Sequence, residues 1–272
     1  MSQPLQQVDL SAYLAKPSDA ELEFLHLFRA DEPRVIFDIG ACEGEDSVRF
    51  SRRFSAAKVF AFEPLPANQA LVRANFARYG ASKTELVPLA LSDRAGDATF
   101  HVSSGRPRDE FAGKDWNYGN KSSSLLAPAQ QQPMYGWIEF KEAITVHTDT
   151  LDHFCHERGI GHIDFVHMDV QGAEHLVLAG ATTMLPHITA IWLEVSDQEL
   201  YAGQKLRTEI QQLMRRHGFR LGYELRREVD GDQFYLNTRS PRAWRYLAAC
   251  AYREFKMKAR MQAGRLWHAV SR

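Results

Sequence analysis

An α/β fold built on a doubly wound, mostly parallel sheet is predicted by three observations. The run Val35-Ile36-Phe37-Asp38-Ile39 is apolar apart from one acid, as a strand buried on both faces must be. It passes through Gly40 and Gly44 into an amphipathic helical pattern at 47–54, so that strand, glycine turn and helix N-terminus follow one another. Further apolar runs closing on an acid repeat the pattern: 58–62 before Glu63, 163–168 before Asp169, and 188–193 before Glu194. With 272 residues, 44% of them hydrophobic, the chain is long enough to bury one sizeable core.

Residues 1–33 read as a helical lead-in, opened by the N-cap residue Ser18 and carrying apolar residues at helical spacing. The main domain is expected over 34–240. Its first strand (35–39) and second strand (58–62) are followed by a helix from Pro66 to about Tyr79, with Gly80 as its C-cap. The third strand is read as 84–91, and Asp93-Arg94-Ala95-Gly96 turns into a short strand at 98–102. Residues 103–142 form an insertion rich in Gly, Pro, Ser, Asn and Gln, with Trp116, Tyr118, Tyr135 and Trp137 interspersed. A loop of that length inside a compact domain is functional or disordered. Its aromatic residues fit a surface that grips a ring-shaped polar acceptor; a serine-rich flexible turn is the alternative at 120–126. A strand at 144–148, a helical turn or two at 151–157, the fourth core strand (163–170), a helix to about Gly180 and a fifth strand (188–195) come next. A helix over 206–217 stops at Gly218, and 219–225 with 233–237 read as a terminal hairpin joined by Asp230-Gly231-Asp232. The tail, 241–272, is basic and interleaved with aromatic residues. It suits either an anionic membrane surface or partner, or docking on its own domain.

A formal net charge of −1 gives no global electrostatic case for nucleic acid. Three widely spaced cysteines, Cys42, Cys155 and Cys250, argue for a reducing compartment and against a disulfide or zinc framework. The start, Met1-Ser2-Gln3-Pro4, lacks the basic-then-apolar pattern of a secretory leader. The expected location is the cytoplasm.

The glycine turn indicates the ligand class. A dinucleotide fingerprint wants a third glycine, G-x-G-x-x-G, whereas the order here is Asp38-x-Gly40-x-x-x-Gly44. Glu43, Glu45 and Asp46 crowd the helix start, where they would repel a pyrophosphate. S-adenosylmethionine (SAM) carries a sulfonium and an ammonium and no phosphate, and suits such a site. Glu63, about 20 residues beyond the turn, stands where these folds place the carboxylate that holds the ribose. Its alternative is a cap on the following helix. Asp93 is read equally as an adenine contact and as part of an ordinary turn.

Taken together, these motifs resemble the FkbM family of SAM-dependent methyltransferases. The matching pieces are Phe37-Asp38-Ile39-Gly40-Ala41 with Gly44, Phe62-Glu63-Pro64, Ala90-Leu91-Ser92-Asp93, Ser122-Ser123-Ser124-Leu125, Thr150-Leu151-Asp152, and 163–166 running into Met168-Asp169-Val170-Gln171-Gly172-Ala173-Glu174. The likeness covers about 34–225. It implies a class I methyltransferase (Rossmann-like) fold, with a seven-stranded mostly parallel sheet between helices and a terminal antiparallel hairpin. It also implies O-methylation of sugars, glycans or glycosylated natural products. By position, Asp38, Gly40 and Gly44 would cradle the methionine part of SAM, Glu63 the ribose, and Leu91 with Ser92 the adenine. The chain departs from the family pattern at Cys42 (often Asn), His167 (often Lys) and Gln171 (often Glu).

Methyl transfer is an in-line displacement that depends on alignment, and a base that takes the hydroxyl proton assists it. Asp169 is the first candidate, with Glu194 and His147 after it; each also has a structural reading, as helix cap, second-layer partner and surface residue. A divalent cation on Asp169 and Glu194 is disfavoured, because the histidines show no metal-ligand spacing. A scaffold that has lost its chemistry is the non-enzymatic alternative.

Overall fold

The computed structural model describes residues 6–107, 117–129 and 136–251. Seven strands form the main sheet in the order β3-β2-β1-β7-β8-β10-β9. These are β1 (Val35–Ile39), β2 (Lys58–Phe62), β3 (Thr84–Val87), β7 (Ile163–Met168), β8 (Ile188–Ser196), β9 (Phe219–Arg226) and β10 (Asp230–Asn237). The first five in that order are parallel, and β10 pairs antiparallel with both β8 and β9. The strand order reverses between β1 and β7, where the carboxyl ends of two neighbouring strands diverge and leave room for a ligand.

Alternation along the strands splits the core in two. Ile36, Val59, Phe165 and Phe234 face one side; there they meet Phe24 of α2 (Asp19–Leu25) and Phe50 of α3 (Glu45–Arg53). Phe37, Phe60, Val166 and Tyr235 face the other. They meet Phe154 of α5 (Leu151–Glu157), Val177 of α6 (Glu174–Ala179) and Ile210 of α7 (Arg207–Arg216). The fourteen-residue α4 (Pro66–Tyr79) opens on proline and stops at Gly80, whose φ of 67° a side chain would oppose. The lead-in also holds a single-turn helix, α1 (Ser11–Leu14). Ser18 accepts a hydrogen bond from the Glu21 backbone N–H and so caps α2.

Several boundaries differ from the sequence reading. The expected third strand breaks at Pro88, which cannot donate to a ladder: β3 stays in the main sheet, while β4 (Ala90–Leu91) leaves it for a second sheet of order β4-β6-β5. There β5 (Gly96–Gly105) and β6 (Ile138–Asp149) run antiparallel and are twice the expected length. Most of their residues stay partly exposed, so the apolar signal that marks the core strands is weak. The insertion between them therefore narrows to 106–137, and Trp116 and Tyr135 lie outside the described residues. Asp230, Gly231 and Asp232 belong to β10, not to the turn, which falls at 227–229. The helix at 241–251 docks on its own domain, with Ala243 and Tyr246 buried and Tyr246 against Phe234. The rest of the basic tail, 252–272, lies outside the described residues. Among those that are described, no helix is long and apolar enough to cross a membrane.

The lead-in is part of the fold. Phe24 is fully buried and stacks on Phe165 with ring centroids 4.4 Å apart. Phe24→Ala should therefore cost about 3–5 kcal/mol in urea unfolding, while Leu22→Ala, at a position 42% exposed, should stay within about 0.5 kcal/mol. Equal effects would show that the segment does not pack as described.

Candidate active site

The carboxyl ends of β1, β2 and β7 converge on one cavity of about 530 Å³ that opens to solvent. Gly40, Glu63, Leu91, Asp169 and Gln171 line it, and so do Asn120, Lys121 and Leu125 of the insertion. At its centre is a close approach. Gly40 has φ 85°, and a Cβ on it would stand 1.8 Å from the Asp169 carbonyl oxygen. Only glycine permits both the left-handed turn and that contact.

Asp38 works beneath this turn. It is 1% exposed, accepts from the Ser47 hydroxyl, and pairs through Oδ1 with His167 Nδ1 at 2.9 Å. Burial opposes a charged imidazole there, but the hydrogen bond to Asp38 and the charges of Asp46, Asp38 and Asp169 outweigh it and raise the His167 pKa to about 9. The histidine thus keeps the positive charge that a lysine would bring. Asp38 does not line the cavity; it locks β1 to β7 and to α3. Gly44 is the N-cap of α3 at φ 77°, and a Cβ there would press on Phe76 of α4 at 2.9 Å. It packs α3 on α4 and does not line the cavity.

Glu63 sits at the mouth of β2, 4% exposed. Its Oε2 accepts from the Cys42 N–H and its Oε1 from the Leu65 N–H, both at 2.8 Å. Burial pushes its carboxyl up to about 8, against the pull of these two N–H groups and the Asn68 amide. With the Asn68 amide as a third donor, the carboxyl keeps one lone pair for a donor in the cavity. Cys42 has φ 51°, a left-handed turn in which asparagine is favoured, and this turn aims its N–H at Glu63. Leu91 lines the cavity. Ser92 does not: its N–H donates to the Asp149 carbonyl and its hydroxyl to Asp93, and a Cβ on Gly180 would stand 2.0 Å from its own carbonyl oxygen.

The acids at the helix start each have a partner, which sequence could not show. Lys121 pairs with Glu45 at 2.7 Å and Glu43 at 3.6 Å, and Asp46 accepts from Tyr13 and Arg49. The insertion is thus a wall of the cavity. Ser124 exchanges backbone hydrogen bonds with His101 of β5 and donates its hydroxyl to the Gln171 carbonyl, and the Tyr201 hydroxyl donates to the Ser122 carbonyl.

Gln171 gathers the other acidic end. Its φ of 54° turns the chain after β7, and its Nε2 donates to Asp169 Oδ1 at 2.7 Å and to Glu194 Oε2 at 3.0 Å. Its Oε1 lies 2.8 Å from the Tyr201 hydroxyl. Glu174 braces the same turn, accepting from the Val170 and Gly172 N–H groups. Asp169 reaches solvent at the cavity mouth, yet the walls around it raise its pKa, against the Gln171 amide and the charges of His167 and Arg227. Burial holds the Glu194 carboxyl well above the usual range, helped by the charges of Asp169, Glu174, Asp232 and Asp230. His147, by contrast, is 83% exposed on β6 and pairs with Asp97. Period-2 alternation points it away from the cavity, which its buried neighbours Val146 and Thr148 confirm. Among the described residues, no group of three or more His, Cys, Asp or Glu is placed to hold a metal ion.

This arrangement, a glycine turn and a buried ribose-type acid on one side and a carboxylate at the next strand's mouth, defines a class I methyltransferase site. The residues fit SAM: the cavity offers the buried acid Glu63 at one end and apolar Leu91 and Phe100 beside it. The comparisons with known proteins agree. Residues 38–221 match the family described as the methyltransferase FkbM domain. The chain is 36% identical over 217 residues to the 2-O-methyltransferase NoeI of Sinorhizobium fredii, covering 80% of this chain and 84% of the relative. It is 30% identical over 198 residues to the 31-O-demethyl-FK506 methyltransferase FkbM of Streptomyces tacrolimicus, covering 68% and 72%. The chain belongs to the FkbM family of SAM-dependent methyltransferases.

The His167–Asp38 pair should make stability pH-dependent. A pKa raised from about 6.5 to about 9 stabilises the fold fully below pH 6.5 and is lost as pH rises through 9, on the order of 3 kcal/mol. Urea midpoints measured from pH 6 to 10 should fall for the wild type and stay level to about pH 10 for His167→Lys. Parallel curves would remove His167 as the charged partner.

Proposed function

We propose that the protein transfers the methyl group of SAM to a hydroxyl of a sugar, a glycan or a glycosylated natural product, in the cytoplasm. The observation that carries this reading is the Asp169–Gln171–Glu194 cluster at the mouth of the cavity on whose inner side Glu63 lies. The names of both relatives describe methyl transfer to oxygen, which supports the same chemistry here. SAM supplies an electrophilic methyl carbon and leaves as a neutral thioether.

The protein's part is to align the acceptor and to take its proton. Asp169 stands at the carboxyl end of the strand next to β1, open to the cavity mouth, and acts as the base that accepts the hydroxyl hydrogen. Gln171 donates one amide hydrogen to each carboxylate, which favours the ionised form of Asp169 and fixes its side chain. Glu194, whose carboxyl is held well above the usual range by burial and by the charges of Asp169, Glu174, Asp232 and Asp230, orders Gln171 from behind. Glu63 holds the ribose, Gly40 gives the backbone approach, and Leu91 packs on the adenine. Asp38, Gly44 and Ser92 position these groups from outside the cavity. Tyr118 and Trp137 of the insertion, both half-buried and packed edge to face, offer ring surface to a carbohydrate.

The test is isotope transfer from methyl-labelled SAM into a panel of glycans and glycosylated small molecules. On the acceptor used best, Asp169→Asn should lower kcat by about 10²–10⁴ and leave affinity for S-adenosylhomocysteine within about threefold. A rate like that of the wild type would remove Asp169 as the base. Label that appears only on nitrogen would remove the hydroxyl reading.

A further inference from the structure

Four buried polar atoms lack a hydrogen-bond partner among the described residues: Asn75 Oδ1, Thr84 Oγ1, Asn120 Oδ1 and His175 Nδ1. Of these four residues, Asn120 alone lines the cavity. It is 4% exposed, and its amide cannot be turned over. Nδ2 donates to Glu43 Oε1 at 3.1 Å and to Asn68 Oδ1 at 2.9 Å, so both of its hydrogens face acceptors. Reversing the amide would set oxygen against oxygen twice. Asn68 is fixed in the same sense, because its Nδ2 lies 3.8 Å from the Cys42 sulfur and its amide supports the Glu63 carboxylate. Glu63, Asn68 and Asn120 therefore form one polar row on the cavity wall. At its end, Asn120 Oδ1 remains an acceptor without a donor, and a buried amide oxygen left so is costly.

The adenosyl part of SAM carries its hydroxyl donors on the ribose, which is the part that Glu63 is assigned to hold. We propose that Asn120 Oδ1 accepts a hydrogen bond from one ribose hydroxyl of bound SAM, so that the diol is shared between Glu63 on β2 and Asn120 on the insertion. The proposal rests on the assignment of Glu63 to the ribose. It gives the insertion a cofactor-reading residue in place of a purely acceptor-gripping role. It also explains why Asn120 is buried beside Glu43, while the neighbouring Lys121 pairs with Glu45. Those contacts hold Asn120 on the cavity wall with Oδ1 unpaired.

The experiment is calorimetry with three ligands, S-adenosylhomocysteine and its 2′-deoxy and 3′-deoxy analogues, on the wild type, Asn120→Ala and Glu63→Ala. The wild type should bind each deoxy analogue about tenfold more weakly, which corresponds to about 1.4 kcal/mol per hydroxyl. Asn120→Ala should bind the parent ligand about tenfold more weakly and stop discriminating against one of the two analogues. Glu63→Ala should stop discriminating against the other. An alanine variant at 120 that still discriminates against both analogues overturns the proposal, even if all three affinities fall together. Loss of discrimination in Asn120→Ala but not in Glu63→Ala would instead overturn the Glu63 assignment and leave Asn120 standing. If Asn120→Ala does not fold, a crystal structure of the wild type with S-adenosylhomocysteine decides the matter. A distance from Asn120 Oδ1 beyond 3.5 Å to both ribose hydroxyl oxygens overturns the proposal, and one within it upholds it.

Discussion

The carbonyl oxygen of Asp169 occupies the place where a side chain on residue 40 would begin. This contact between the turn after β1 and the end of β7 sets the shape of the site. It brings two parallel strands to a common mouth and lets the chain leave each in a different direction. Asp38 and His167, two register steps inside, hold the strands together with a buried charged hydrogen bond. A buried ion pair is weak evidence of net stability. Here its position suggests a different value, since it pins the turn in a single geometry.

From that point the two ends of the cavity diverge in character. The inner end is built from backbone N–H groups and amides around Glu63, which suits hydroxyl donors on a neutral ring. The outer end concentrates Asp169, Glu194, Glu174 and Asp232, and burial with mutual repulsion disfavours their joint ionisation. Gln171 relieves that crowding because an amide donates without adding charge. Its left-handed backbone, like that of Cys42, occupies a conformation that non-glycine residues seldom adopt, and both stand at the cavity.

Much of this was legible in the sequence because parallel strands need apolar residues on both faces. Val35–Ile39, Lys58–Phe62, Ile163–Met168 and the run from Ile188 stand out, and the acids that end them mark the carboxyl edge of the sheet. Side-chain direction was not legible. Asp38, Gly44 and Ser92 carry the family pattern, yet none of them lines the cavity, and only tertiary packing separates a motif residue on the cavity wall from one behind it. His147 looked catalytic by type and lies on a strand whose alternate residues face solvent. The half-exposed β5 and β6 were legible over only about half their length, since one-sided burial gives a diluted apolar signal. The polar insertion gave no sign that Asn120 and Lys121 fold back on the helix start, because the partners that hold them, Glu43 and Glu45, lie more than seventy residues earlier.

The central claim is that the mouth of β1, β2 and β7 is a SAM site. Calorimetric titration of the wild-type protein with S-adenosylhomocysteine, and with NAD as a control, tests it most directly. One site per chain at micromolar affinity for the first ligand, and no heat from the second, is the predicted result. No binding of S-adenosylhomocysteine, or equal binding of NAD, would contradict it.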